Sequence, residues 1–182
     1  MRFLLPMTLG AALLPAFAQA HPHHDHAGGG FATGLAHPLL GLDHVLAMVA
    51  VGLWAALAGG RALWAGPLVF LGAMLLAGLA GAGQPAFAMA EHVIVASVII
   101  TGLAVALAMP LASALTMVAV FGLAHGYAHG VEGPGGGAYA TGFMLATAAL
   151  HGAGLALARL GPVAVRMIGG GVALGGAALA VI

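Results

Sequence analysis

Six apolar runs, each about the length needed to cross a bilayer, constrain this chain more than any other feature. They cover residues 38–58, 62–82, 86–108, 111–130, 138–158 and 162–182, with Gly, Pro and Arg between them. A chain that is 63% hydrophobic and 4% charged cannot coat itself for water, where about 25% charged residues is usual. This excludes a soluble globular domain and a disordered tail. Four basic residues also leave no surface for nucleic acid, which requires many phosphate contacts. The 31 glycines suit close helix contact in lipid. The expected fold is therefore an all-α integral membrane protein of about six transmembrane helices. Its turns are short, such as Gly59-Gly60-Arg61, Met109-Pro110 and Gly161-Pro162, so neighbouring helices must run antiparallel.

Residues 1–20 have a positive Arg2, an apolar stretch and Ala18-Gln19-Ala20, the pattern of a cleavable secretory signal peptide. Residues 21–36 then form a His-rich periplasmic segment, and 37–182 the six-helix transmembrane domain. His21, His23, His24 and His26 stand beside Asp25, a tract able to collect metal ions. Pro22 lacks the backbone N–H that a tight amino-terminal copper or nickel chelate would use, so only a looser, exchangeable site is expected. With the mature N-terminus periplasmic, Arg61, Arg159 and Arg166 all fall on the cytoplasmic side, as the positive-inside rule requires. A multi-pass protein of the cytoplasmic membrane is the expected localisation.

Charge within a span is costly and needs compensation, so the polar exceptions mark function. The first span is expected to be one helix with Pro38 in its first turn, placing His37 and His44 two turns apart on one stripe. Asp43 would face a neighbouring helix or hold a histidine from it. The third span carries Glu91 and His92. The fourth ends with His125, His129 and Glu132 at helical spacings of four and three. Antiparallel topology brings His37, Asp43, His44, Glu91, His92, His125, His129 and Glu132 into one outer half of the membrane. His151 lies deeper, as a second station on a path. The chain contains no cysteine, so imidazole and carboxylate are the main ligands. That set suits nickel, cobalt or zinc and disfavours a dedicated Cu(I) site. Met48, Met117 and Met144 are expected to pack, and Trp54 and Trp64 to anchor at the interface. Gly78 with Ala82, and Gly169-Gly170-Gly171 with Gly175-Gly176, are expected to mark close helix contacts. Gly34-Leu35-Ala36-His37 recurs as Gly122-Leu123-Ala124-His125, a weak internal repeat.

The run His37-Pro38-x-x-Gly41-x-Asp43-His44-x-x-Ala47-Met48-x-x-Val51-Gly52 resembles the signature of the HupE/UreJ family of hydrogenase and urease accessory membrane proteins. Phe121-Gly122-Leu123-Ala124-His125-Gly126-x-x-His129-Gly130-x-Glu132 is similar to that family's second motif. The resemblance implies permeation of Ni²⁺, or Co²⁺, across the bacterial cytoplasmic membrane to supply metalloenzyme maturation. It places the ion at His37, Asp43, His44, His125, His129 and Glu132, and less firmly at Glu91. The ion would be substrate, with no prosthetic group. Partners would be the lipid bilayer and the metal ion, with a homo-oligomer left open. No nucleotide-binding loop is present. Three rivals use the same ligands: a membrane metalloenzyme, a haem-carrying cytochrome subunit, and an accessory or sensor subunit that binds metal without transporting it. Neither H-E-x-x-H nor G-x-S-x-G occurs, which weighs against the enzyme.

Overall fold

The structure is a computed structural model and describes residues 30–85 and 89–181. The signal peptide and the histidine tract at 21–26 lie outside the described residues. Lipid offers no hydrogen bonds, so an apolar run must satisfy its backbone internally. All regular structure among the described residues is accordingly helical. It comprises α1 (Phe31–Leu40), α2 (Leu42–Ala58), α3 (Ala62–Gly81), α4 (Ala90–Ala106), α5 (Leu111–Glu132), α6 (Gly137–Leu157) and α7 (Pro162–Leu179), with a 3₁₀ turn at Ala158–Leu160. Helices α3, α5, α6 with its 3₁₀ turn, and α7 are long and apolar enough to cross a membrane. The bent pair α1–α2 forms a fifth candidate span, and α4 is a shorter apolar helix of 17 residues.

The first run differs from the single helix expected over 38–58. It breaks at Gly41, and α1 and α2 meet at 86°. Pro38 lies in the last turn of α1 rather than the first turn of a span. Its missing N–H leaves the Gly34 carbonyl without the usual helical partner, which weakens the helix just before the break. Gly41 then turns extended, at φ −96° and ψ 118°. A Cβ there would stand 2.7 Å from Asp43 Oδ1 and 2.8 Å from His44 Nδ1. The corner is therefore shaped around those two side chains.

Helix α2 is the axis of the bundle and packs against α3, α4, α6 and α7. Met48, Leu53 and Trp54 are fully buried on it. Trp54 is thus a core residue and not the expected interface anchor. Its Nε1–H donates to the Met109 carbonyl at 2.9 Å, fixing the turn between α4 and α5. Trp64 is exposed, as an anchor would be. Arg166 donates from Nε to the Ala106 carbonyl at 2.7 Å, a cation at a helix C-terminus. Arg61 and Arg159 lie in the turns at this same end, opposite the end where α5 finishes and α6 begins.

Helices α3 and α5 make the most intimate pairing. Gly122, Gly126 and Gly130 let α5 rest its backbone on Phe70, Met74 and Gly78 of α3, the small-residue packing common in lipid. Gly169 and Gly176 of α7 bring that helix against α4, while Gly170 and Gly171 face open space. Large side chains such as Leu76, Leu79, Met167 and Leu174 point outward, where lipid would cover them.

A Cβ at Gly126 would collide with the Met74 carbonyl. Gly126→Val should therefore cost at least about 1–3 kcal/mol from overpacking, seen as earlier thermal unfolding in detergent. Gly72→Ala, at a position with open space, should leave the transition unchanged.

Candidate metal centre

Glycine and histidine alternate by register on α5. His125-Gly126 and His129-Gly130 are adjacent pairs, and neighbouring residues on a helix point about 100° apart. The glycine stripe lies on α3, so the histidine stripe is turned inward toward α2. There His125 and His129 meet His44. The imidazole centroids stand 5.1 Å apart for His44 and His125, and 4.5 Å apart for His44 and His129. One ligand atom from each of these three histidines fits within 4.8 Å of the others. All three are buried, and His125 is wholly inaccessible.

The bend at Gly41 brings in a fourth ring. In a continuous helix His37 and His44 would be separated by about 10 Å along the axis. Across the corner their centroids are 6.4 Å apart. His37 Nε2 reaches His129 Nδ1 at 3.2 Å, and His37 also packs beside Tyr139 and Phe143 of α6. The helix break, not a shared stripe, brings His37 to the cluster.

Hydrogen bonding decides which nitrogens face an ion. Asp43 Oδ1 accepts from the His44 backbone N–H and from His44 Nδ1–H, each at 2.8 Å. Asp43 therefore orients the histidine next to it in sequence, rather than one from another helix. This fixes the tautomer and leaves the lone pair of His44 on Nε2, as carboxylates behind metal-bound histidines do. Ser97 of α4 plays a parallel part for His125. Its one hydroxyl proton goes to the Ile94 carbonyl at 2.6 Å. Its oxygen therefore accepts from His125 Nε2–H at 2.8 Å. The lone pair of His125 then sits on Nδ1, which is buried and has no protein partner among the described residues.

His129 completes the set between the other rings. Its Nε2 lies 2.5 Å from His44 Nε2, and its Nδ1 faces His37. An ion bound at about 2.0–2.1 Å to two imidazole nitrogens holds them roughly 3 Å apart. With the His44 lone pair on Nε2, the His129 proton sits on Nε2 in the metal-free cluster. Binding through Nε2 would leave the His129 proton on Nδ1, and His37 Nε2 would accept from it as the Nδ1–H tautomer of His37. His37 is well placed as that proton partner.

The remaining expected residues stand apart. Glu91 and His92 are exposed at the start of α4, and Glu132 is exposed at the end of α5. All three are at the same end of the bundle as the cluster, but none joins His44, His125 and His129 in the ligand group. His151 is buried in α6, deeper than the cluster. A cleft of about 230 Å³ reaches His129 between α3, α5 and α6. Gly135, Gly136 and Gly137 line its mouth, and Met74, Phe143 and Met144 its wall.

Ser97 is the residue that sequence reasoning missed. The available signal was a serine and a threonine, Ser97 and Thr101, spaced four apart in an otherwise apolar run. Both are buried on one face of α4.

Known proteins share this sequence over nearly its whole length. Residues 9–179 match the family described as HupE / UreJ protein. The chain is 44% identical over 184 residues to Protein HupE of Rhizobium leguminosarum bv. viciae, covering 96% of this chain and 95% of that one. No solved structure matches. The family consists of membrane transporters rather than enzymes and is associated with nickel uptake for hydrogenase and urease. A multi-pass helical bundle with a buried histidine group, matched over nearly its whole length, belongs to the HupE/UreJ family.

Proposed function

We propose that this chain is a secondary permease carrying Ni²⁺, and Co²⁺ as an alternative substrate, across the cytoplasmic membrane toward metalloenzyme maturation. The observation that carries the reading is the buried convergence of His44, His125 and His129 inside a bundle built to sit in lipid. Imidazole nitrogen without thiolate suits borderline divalent ions. Asp43 supplies the nearby negative charge, held against His44.

The ion would arrive at the end of the bundle carrying Glu91, His92 and Glu132, where the two carboxylates would concentrate cations. The tract His21, His23, His24 and His26 would collect it earlier. The cleft beside His129 leads inward, where three imidazoles replace hydration water. Placing this end on the periplasmic side puts Arg61, Arg159 and Arg166 on the cytoplasmic side, the favoured arrangement. A potential of 100 mV acts on a divalent ion with about 4.6 kcal/mol, enough for roughly a thousandfold accumulation. Transport then needs no nucleotide.

The test is nickel uptake by cells lacking their own high-affinity importer, at matched membrane abundance. Wild type should accumulate nickel, with cobalt competing, and His44→Ala or His129→Ala should fall to background. A well-inserted wild type that takes up none would sink the permease reading and leave a metal-binding subunit.

Asp43→Asn keeps the shape but removes the carboxylate that orients the His44 ring and fixes its tautomer. Nickel affinity of the purified protein should drop about 10–100-fold, measured by equilibrium titration. Acid should also weaken binding, because a proton and the metal compete for the same imidazole lone pair. Uptake should decline as external pH is lowered through the imidazole range. Binding that survives full acidification would count against the imidazoles as ligands.

A further inference from the structure

The geometry points to Phe70 as a gate between the histidine cluster and a deeper coordination station formed by His151 and Thr147. This rests on the permease reading for its cargo, a divalent transition-metal ion, but the gate itself is a feature of the bundle.

His151 is 1% exposed and Thr147 is fully buried. They are four residues apart on α6, so their side chains share one face. Neither ring nitrogen of His151 has a protein partner among the described residues, and nor does the Thr147 hydroxyl. Burying polar groups unpaired costs about 1–3 kcal/mol each. A leucine at 151 would avoid that cost, so two orphaned ring nitrogens and a hydroxyl suit a ligand that comes and goes. The helix backbone is satisfied here, and no carboxylate is on α6. Two neutral donors without a counter-charge hold a dication weakly, as conduction requires.

Phe70 links this station to the cluster. Its ring lies 5.7 Å from that of His125 and 5.3 Å from that of His151, centroid to centroid. The second contact is edge-on, at 89°. His125 and His151 make no ring contact with each other. Phe70 is 1% exposed, and Gly122 packs its backbone against that of Phe70, so the backbone that carries the ring is held from α5. An aromatic ring between two ligand stations excludes water and closes the path to ions, as apolar constrictions do in channels. When the ring turns aside, its negative face can contact a partly dehydrated cation. His151 lies about 20 Å along α6 from Gly137, at 1.5 Å per residue. The order is thus His37 and His129, then His44 and His125, then Phe70, then His151.

The absence of native cysteine permits a direct test in the full-length protein in proteoliposomes. His151→Cys is labelled with methanethiosulfonate-ethylammonium, a small cationic thiol reagent, supplied from the side of the histidine cluster. With Phe70 in place labelling should be slow. Phe70→Ala should speed it about tenfold, and Phe70→Leu should fall between, guarding against misfolding of the alanine variant. In separate vesicles His151→Leu, which removes the unpaired nitrogens, should cut nickel flux about tenfold. It should keep nickel bound at His44, His125 and His129, and its metal-free form should melt no earlier than wild type. Equal labelling rates with Phe, Leu and Ala at 70 would overturn the gate, and wild-type flux in His151→Leu would overturn the station. If wild type binds nickel but passes none, the permease reading fails, while the labelling rates still judge the gate.

Discussion

The contact between the glycine stripe of α5 and the backbone of α3 is the constraint on which the rest depends. Gly122, Gly126 and Gly130 can approach Phe70, Met74 and Gly78 only because no side chain intervenes. That contact fixes the rotation of α5 about its axis. Because His125 and His129 each precede a stripe glycine, their direction is set at the same time. In lipid, helix association gains little from the hydrophobic effect and depends on van der Waals contact. A packing motif here therefore doubles as an aiming device. A shift of one residue in register would turn the histidines about 100° away from His44.

The second constraint is the corner at Gly41. A straight α1–α2 helix would carry His37 well above the cluster. The 86° bend instead lays α1 against α6, where Gly34 approaches Tyr139 and Gly142 approaches Phe31. The same corner starts α2 immediately before Asp43 and His44. The carboxylate therefore sits in the first turn of α2, where the helix dipole favours negative charge. The Asp43–His44 pair is thus supported by the helix end as well as by its own hydrogen bonds.

Much of this was legible in sequence, and the failures have physical causes. Apolar runs bounded by Gly, Pro and Arg gave the helices, because lipid permits an apolar run few alternatives. The spacing of His125 and His129 gave their common face, because α5 is unbroken. Proline suits a first helical turn but also tolerates a last one before a break, as Pro38 does in α1. Sequence spacing does not distinguish the two when glycine follows. The nearness of Trp54 to a turn in sequence points to the interface. Its indole N–H instead finds the Met109 carbonyl, a partner that tertiary packing supplies. The spacing of Ser97 and Thr101 marks a polar face of α4 but not what that face meets. The role of Ser97 exists only once α5 places His125 opposite it.

The placement of charge gives the bundle a direction. Asp43, Glu91 and Glu132 all lie at the end bearing the histidine cluster, while Arg61, Arg159 and Arg166 lie at the other. A dication moving away from the carboxylates loses electrostatic attraction at each step and then approaches positive charge. Held by structure alone, it would rest at the cluster. Only a membrane potential negative on the arginine side, or a sink for metal there, favours onward movement. A deeper station of neutral donors, as proposed for His151 and Thr147, would lower the barrier between those ends without creating a second trap. Weak binding at depth and stronger binding near the acids would together give inward flux at low external metal. A uniform ladder of strong sites would fill and stop.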